Sequence, residues 1–377
     1  MDLISAPLIS DKQPLTIVVG SGGVGKTTLA ASLGVLSARS GRDTLVMTFD
    51  PSLRLKDALG VGEDARRREV KVAFDAPGSL HASLLDARRT FDRLVARYAP
   101  EEEARRRILD NRFYQHLSGA LGGILEYMAV ERLFEVAAED RYKQVILDTP
   151  PTRQALDFLE APARIVGFLD SGALKVALKS WFDEEGRLSM SSRWGMLGRR
   201  AERFLDDVVG LDLLRDMAEF FQAFAPLYEG FRERAQAVEQ LLRSPRTRFI
   251  VVSGPGEERI PDTLFFARRL EQAGYHLGPI VVNRVHPRFS VEGAPAAADF
   301  SPAVGRPTGR ELLTWLGERD HRGLAELATL VSREQPVIDV PLLPGEPTDL
   351  PSLEDLGRLV ESRLQAWQKL NGGGSLW

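Results

Sequence analysis

The chain has 377 residues, 44% hydrophobic and 27% charged, with a net charge of −4 and no cysteine. That balance gives no basic surface of the kind that gathers nucleic acid, and the missing thiols exclude disulfides, zinc–thiolate sites and cysteine nucleophiles. The length admits two or three average domains or one large α/β domain with insertions, with apolar residues enough for a sizeable core. The N-terminal stretch MDLISAPLISDKQP lacks a basic region followed by a long apolar run. No stretch approaches the roughly 18 uncharged apolar residues of a membrane span, so the expectation is a cytoplasmic protein.

Leu15 to Val19 is a short, β-branched apolar run that reads as a buried strand. It leads into Gly20-Ser21-Gly22-Gly23-Val24-Gly25-Lys26-Thr27: a glycine, four free positions, then Gly-Lys-Thr. Thr28 to Ala38 reads as an amphipathic helix. Strand, glycine turn and helix in that order are the context a phosphate-binding loop requires. Residues without side chains let successive backbone N–H groups close around phosphate oxygens at the positive end of a helix. Lys26 then reaches the β- and γ-phosphates and the Thr27 hydroxyl ligates Mg²⁺. A turn that bound nothing would have no need of Lys-Thr at that offset.

The second strand, Thr44 to Phe49, ends in Asp50-Pro51, which puts a carboxylate at the strand end where α/β sheets hold their ligands. Ser52 to Leu59 continues as a short turn or helix carrying Arg54 and Asp57. From about Val70 to Arg141 the pattern is mostly helical, with Arg- and Glu-rich solvated faces; Gly119 to Met128 within it is apolar and flexible. Gln144 to Asp148 is an apolar strand ending in an acid that holds Mg²⁺ opposite the loop hydroxyl, followed by Thr149-Pro150-Pro151-Thr152. Ile165 to Leu242 is again helical. After Ser244-Pro245 the βα pattern resumes, with strands Phe249 to Val252 and Pro279 to Val285 around a helix from Thr263 to Ala273. A loop-like insertion, Pro287 to Thr308, precedes a charged helix. Then come a strand from Val337 to Val340, Pro341-Leu342-Leu343-Pro344, a closing helix from Leu353 to Leu370 and a disordered NGGGSLW tail.

In this order the motifs resemble those of the arsenite-pump and tail-anchored-protein targeting ATPases, the ArsA-like branch of the deviant P-loop NTPases. The resemblance covers nearly the whole chain. It implies an α/β fold: a mostly parallel, doubly wound P-loop NTPase sheet from about 12–75, 142–160 and 245–370, with a helical subdomain inserted at about 76–141 and 161–244 and a tail at 371–377. It implies Mg²⁺-dependent ATP hydrolysis, with Gly20 to Thr28 cradling the phosphates, Asp57 orienting the water, and Asp50 supporting the metal shell built on Thr27 and Asp148. Pro51 and Arg54 fall in its first switch loop, Thr149, Pro150 and Thr152 in its second. Asn283 would hydrogen-bond the adenine, and Pro341 with Leu342 would lie against the purine.

The chain departs from the family in several ways. Arg153-Gln154 replaces the second switch's Gly-His. The signature lysine is Ser21, which makes Arg54 a candidate replacement for a cation that crosses the dimer interface. Thiolate binding of arsenite is impossible and the paired-cysteine zinc joint is missing. With one P-loop rather than two in tandem, nucleotide-dependent pairing would make a homodimer. The helical insertion would carry a hydrophobic client helix, for which Trp181, Met190, Trp194, Met196 and Met217 suit an adaptable surface. The aromatic stripe Met217, Phe220, Phe221, Phe224, Leu227, Tyr228 and Phe231 reads first as bundle core. The alternatives are a ParA- or MinD-like positioning ATPase acting on DNA or membrane, for which Leu353 to Leu370 shows no basic cluster, and a slow nucleotide-binding switch.

Overall fold

The computed structural model describes residues 7–49, 54–99, 101–112, 114, 124–150, 159–164, 166–167, 216, 219–220, 223, 227–289 and 309–371. Asp50, Pro51, Thr152, Arg153, Gln154, Trp181, Met190, Trp194, Met196, Met217, Phe221, Phe224 and the tail from 372 lie outside the described residues. The chain forms two compact units, one of Met1–Leu85, Glu135–Ala155 and Leu241–Trp377, the other of Asp86–Phe134 and Leu156–Gln240.

The first unit is built on an eight-stranded sheet. Its strands are β1 (Leu15–Gly20), β2 (Thr44–Thr48), β3 (Val70–Lys71), β4 (Leu80–Leu84), β5 (Gln144–Asp148), β6 (Thr247–Ser253), β7 (Leu277–Val285) and β8 (Val337–Pro341), in the order β3-β4-β2-β5-β1-β6-β7-β8. Every pairing is parallel except that of β3 with β4. All residues of β1, β2, β5 and β6 are buried, as central strands of a parallel sheet covered on both faces must be. Alternation sends Val18, Val46, Ile146, Ile250 and Val252 into one core with α1 (Lys26–Arg39) and α9 (Leu350–Asn371). Their neighbours Ile17, Val19, Met47, Leu147 and Val251 are buried on the opposite face. There α7 (Ile260–Gln272) packs on β6 and β7. Each aliphatic side chain buried in this way stabilises by about 1.5–3 kcal/mol.

α1 is almost wholly buried, with Leu29, Leu33 and Leu36 in the core. Gly34 lets it close on the sheet, since a Cβ there would stand 2.3 Å from a Val46 methyl. Because β5 lies between β2 and β1, the chain must cross over after β1. The loop after β1 therefore sits where the winding reverses, the position at which open α/β sheets bind ligands.

One stretch differs from the helical reading that began at Val70. Leu80–Leu84 is a strand against β2, with Leu80, Ala82 and Leu84 buried and short β3 paired beside it. The alternation in LHASL is muted by alanine and serine, and only the distant β2 makes it a strand. A second surprise is Arg248 in β6, 2% exposed, donating to Pro7 O and Gln13 Oε1. Burial pushes its guanidinium down to about 10.

Among its described residues the second unit contains no strand; its helices include α3 (Ala87–Tyr98), α4 (Glu102–Leu109), most of α5 (Ile124–Glu139) and most of α6 (Tyr228–Arg243). The Asp86 carboxylate caps α3 by accepting from Arg89 N at 3.1 Å. Phe220, Leu227 and Phe231 are buried with Phe91, Leu94 and Tyr114, so the described part of the aromatic stripe is bundle core. Glu131, fully buried, accepts from Arg234 Nε and from Tyr127 OH, joining α5 to α6.

Candidate functional site

β1 ends at Gly20, whose φ of 149° and tight surroundings admit no side chain, since a Cβ would lie 2.1 Å from Val252 O. The loop then turns over exposed Gly22 and Gly23, anchors Val24 in the core, and enters α1 through Gly25 at φ 95°. The first turn of α1 begins at Lys26, so free N–H groups and the helix dipole face the loop's concavity. Lys26 is 7% exposed, and its Nζ donates to Ser21 O at 2.9 Å, spanning the mouth of the loop.

The acid reaches the same place along β5. Asp148 is fully buried in register with Thr48 of β2 and Val18 of β1. Its Oδ2 accepts from Thr27 Oγ1 at 2.7 Å and from Thr48 Oγ1 at 2.9 Å. Thr27 was expected from the motif; Thr48 was not, because nothing in its own strand marks it and only the parallel register brings it to Asp148. A hydroxyl beside a carboxylate is an all-oxygen donor set of the kind a hard cation such as Mg²⁺ takes. Next in the chain, Thr149 donates from both N and Oγ1 to Val18 O, at 3.3 and 2.8 Å, and is buried together with Pro150. The segment expected to be the second switch therefore leaves the sheet from an anchored Thr149.

The residues expected in the first switch are divided. Leu55 and Leu59 anchor α2 (Arg54–Leu59) in the core, leaving Arg54 and Asp57 exposed on its outer side. On the far side of the loop, Asn283 donates from Nδ2 to Val24 O at 2.8 Å and accepts from Arg284 N at 2.9 Å. The side chain expected to meet a base thus also braces the glycine loop. A Cβ on Gly25 would stand 2.4 Å from that Nδ2. Pro341 closes β8 beside Val285, and Leu342, 44% exposed, donates its N–H to Val285 O at 2.8 Å.

A cleft of about 190 Å³ opens along Gly22, Gly23 and Val24 and is lined by Arg259, Arg284 and Arg319 as well as Asn283. Arg319 is held by fully buried Asp320, which also accepts from His286 N and Nδ1. Burial alone would raise this carboxyl; the His286 and Arg319 hydrogen bonds outweigh it and hold the group below the usual carboxylate range. The cluster fixes α8 (Gly309–Leu330) to the end of β7, and no local sequence signal announced it.

Comparisons with known proteins agree with this geometry. A protein of Aquifex aeolicus whose provisional name is arsenical pump-driving ATPase 1 is 25% identical over 90% of this chain and 77% of its own length. The ATPase GET3 of Zygosaccharomyces rouxii is 28% identical over 61% of this chain and 71% of its own. That of Podospora anserina is 32% identical over 39% of this chain, which spans 42% of the relative. The profile of the family described as Anion-transporting ATPase matches residues 14–296. Since that match covers well over half of a chain whose strand, glycine loop and buried acid meet as described, the protein belongs to the anion-transporting ATPase family and is an ATPase.

Proposed function

We propose that the chain binds Mg²⁺-ATP on Gly20 to Thr28 and hydrolyses it within a homodimer whose opening and closing moves a hydrophobic client held by the helical unit. The observation that carries the nucleotide reading is the convergence of Lys26, Thr27 and Asp148 on one loop at the carboxyl edge of the sheet. Lys26, spanning the loop, meets the β- and γ-phosphates; the backbone N–H groups from Ser21 to Thr28 hold their oxygens in fixed positions and need no reorganisation as charge develops. Thr27 and Asp148 would hold Mg²⁺, with Asp50 in support, and the ion would neutralise charge on the β- and γ-oxygens. Asp57 orients the attacking water; Asn283 and the Pro341-Leu342 turn receive the adenine. The exposed position of Asp57 on α2 suits a group that engages only when the switch closes.

The single P-loop and the dimeric logic of the resemblance support pairing of two copies. With no thiolate to hold an anion, a hydrophobic client is favoured over a thiolate-bound one, and the location proposed for the chain is the cytoplasm. Among the described residues no helix is long and apolar enough to cross a membrane.

Calorimetry of the full chain with Mg²⁺-ATP, with Lys26→Ala as control, tests the nucleotide site: binding that Lys26→Ala abolishes is expected, and no heat with either protein sinks it. Molecular mass in solution with ADP and with a non-hydrolysable analogue tests pairing. Capture of a transmembrane peptide rather than DNA or liposomes tests the client.

A further inference from the structure

Along a strand successive side chains point to opposite faces, so Asn283 and Arg284 should point apart. Here both reach the glycine loop. The β7–β8 register shifts between Val282 and Val285, and Arg284 adopts a φ of 63° with its N–H bonded to the Asn283 side chain. Asn283 then donates to Val24 O, and Arg284 Nη1 donates to Gly23 O at 3.2 Å. A left-handed backbone at a long side chain is uncommon and costs free energy. Irregularities of this sort beside functional sites re-aim a side chain.

Arg284 Nη2 is paired with Glu346 at 3.0 Å, but the two side chains are 47% and 79% exposed, so the pair is screened and adds little stability. The loop itself carries one cation, Lys26, and an uncharged Ser21. Arg259 and Arg319 line the same cleft against one acid, Glu258, and leave it cationic.

We propose that Arg284 is a phosphate-contacting cation of the hydrolytic reaction. With nucleotide bound, its guanidinium leaves Gly23 O and Glu346 for the γ-phosphoryl oxygens. There the water oxygen forms its bond to phosphorus, the β–γ bridging oxygen departs with its electron pair as ADP, and a proton of the water ends on the phosphate product. The guanidinium neutralises charge that accumulates on the equatorial oxygens only as this exchange proceeds. The inference rests on the reading of Gly20 to Thr28 as the ATP site.

The test uses the full chain, Arg284→Ala, Arg284→Lys and Glu346→Gln, with turnover at saturating Mg²⁺-ATP and calorimetric affinity for Mg²⁺-ADP with and without aluminium fluoride. Arg284→Ala should lower kcat about a thousandfold and lose the tightening that fluoride brings, while ADP affinity stays within about threefold. Glu346→Gln should keep both. If Arg284→Ala does not fold, Arg284→Lys replaces it: its charge without the planar fork should retain part of the rate, and an unaltered or wholly absent rate overturns the proposal. Equal loss of ADP and ADP–fluoride binding in Arg284→Ala, kcat within tenfold of the parent, or a Glu346→Gln defect as large as that of Arg284→Ala overturns it as well. Those results would leave the nucleotide site standing. Failure of the unsubstituted chain to bind Mg²⁺-ADP would remove the site and the proposal together.

Discussion

Replacing Thr48 by valine deletes one hydroxyl and keeps the shape of the side chain. Thr48 is 2% exposed, and its Oγ1 lies 2.9 Å from Oδ2 of fully buried Asp148. A hydrogen bond to a charged group contributes about 1.5–3 kcal/mol. Because Thr27 Oγ1 still donates to the same oxygen at 2.7 Å, the loss should fall in the lower part of that range, about 1.5–2 kcal/mol. For a folding unit of this size each kcal/mol lowers Tm by about 2–4 °C, so Thr48→Val should melt about 3–8 °C lower. The assay is a urea titration and thermal melt of Thr48→Val, Asp148→Asn and the double variant, without nucleotide. A coupling energy of about 1 kcal/mol is expected between the two positions. Coupling below about 0.3 kcal/mol would refute the reasoning, since the hydroxyl and the carboxylate would then be energetically independent.

The same site yields further expectations. Gly25→Ala forces a Cβ to 2.4 Å from Asn283 Nδ2 at a backbone φ of 95°, so the Asn283–Val24 bond must break; Mg²⁺-ATP should bind at least about tenfold more weakly by calorimetry, and parental affinity would show the loop adapts freely. Asp57→Asn should bind ATP like the parent and turn it over at least about a hundredfold more slowly; equal turnover removes Asp57 from the reaction. Away from the site, burial holds the His81 ring below its ordinary pKa against the opposing pull of Glu69 and Asp43, and its Nδ1 is enclosed without a hydrogen-bond partner among the described residues. The unfolded chain binds that proton more readily, so the stability from neutral His81 is complete above about pH 6.5 and is lost as the pH falls through the lower folded value. Tm should therefore drop between pH 7.5 and 5.5, less steeply in His81→Gln; an unaltered slope would show that His81 titrates freely.

The fold was legible where the signal is local and repeated. Apolar runs flanked by a glycine turn, and acids at strand ends, marked β1, β2 and β5. β5 has the bounds expected, while β1 runs on to Gly20 and β2 stops at Thr48, each one residue from its expected end, because the last rung of a ladder is set by neighbours. β4 was illegible, since its small residues carry almost no alternation and its partner β2 is more than thirty residues away. The same limit hid the Asp320–His286–Arg319 cluster, whose members touch only after α8 folds back on β7.

By itself, then, the sequence determined that a glycine loop follows a buried strand and leads into a helix, and that Lys26, Thr27 and Asp148 are the groups suited to a phosphate and its metal. Spacing along one chain is enough for that, because loop and helix geometry are short-range. Only the tertiary structure decided that Thr48 shares Asp148 with Thr27, that Asn283 braces Val24, and that the irregularity in β7 turns Arg284 to Gly23. Those contacts depend on register between strands far apart in sequence, and a slip of one residue would send each side chain to the other face of the sheet.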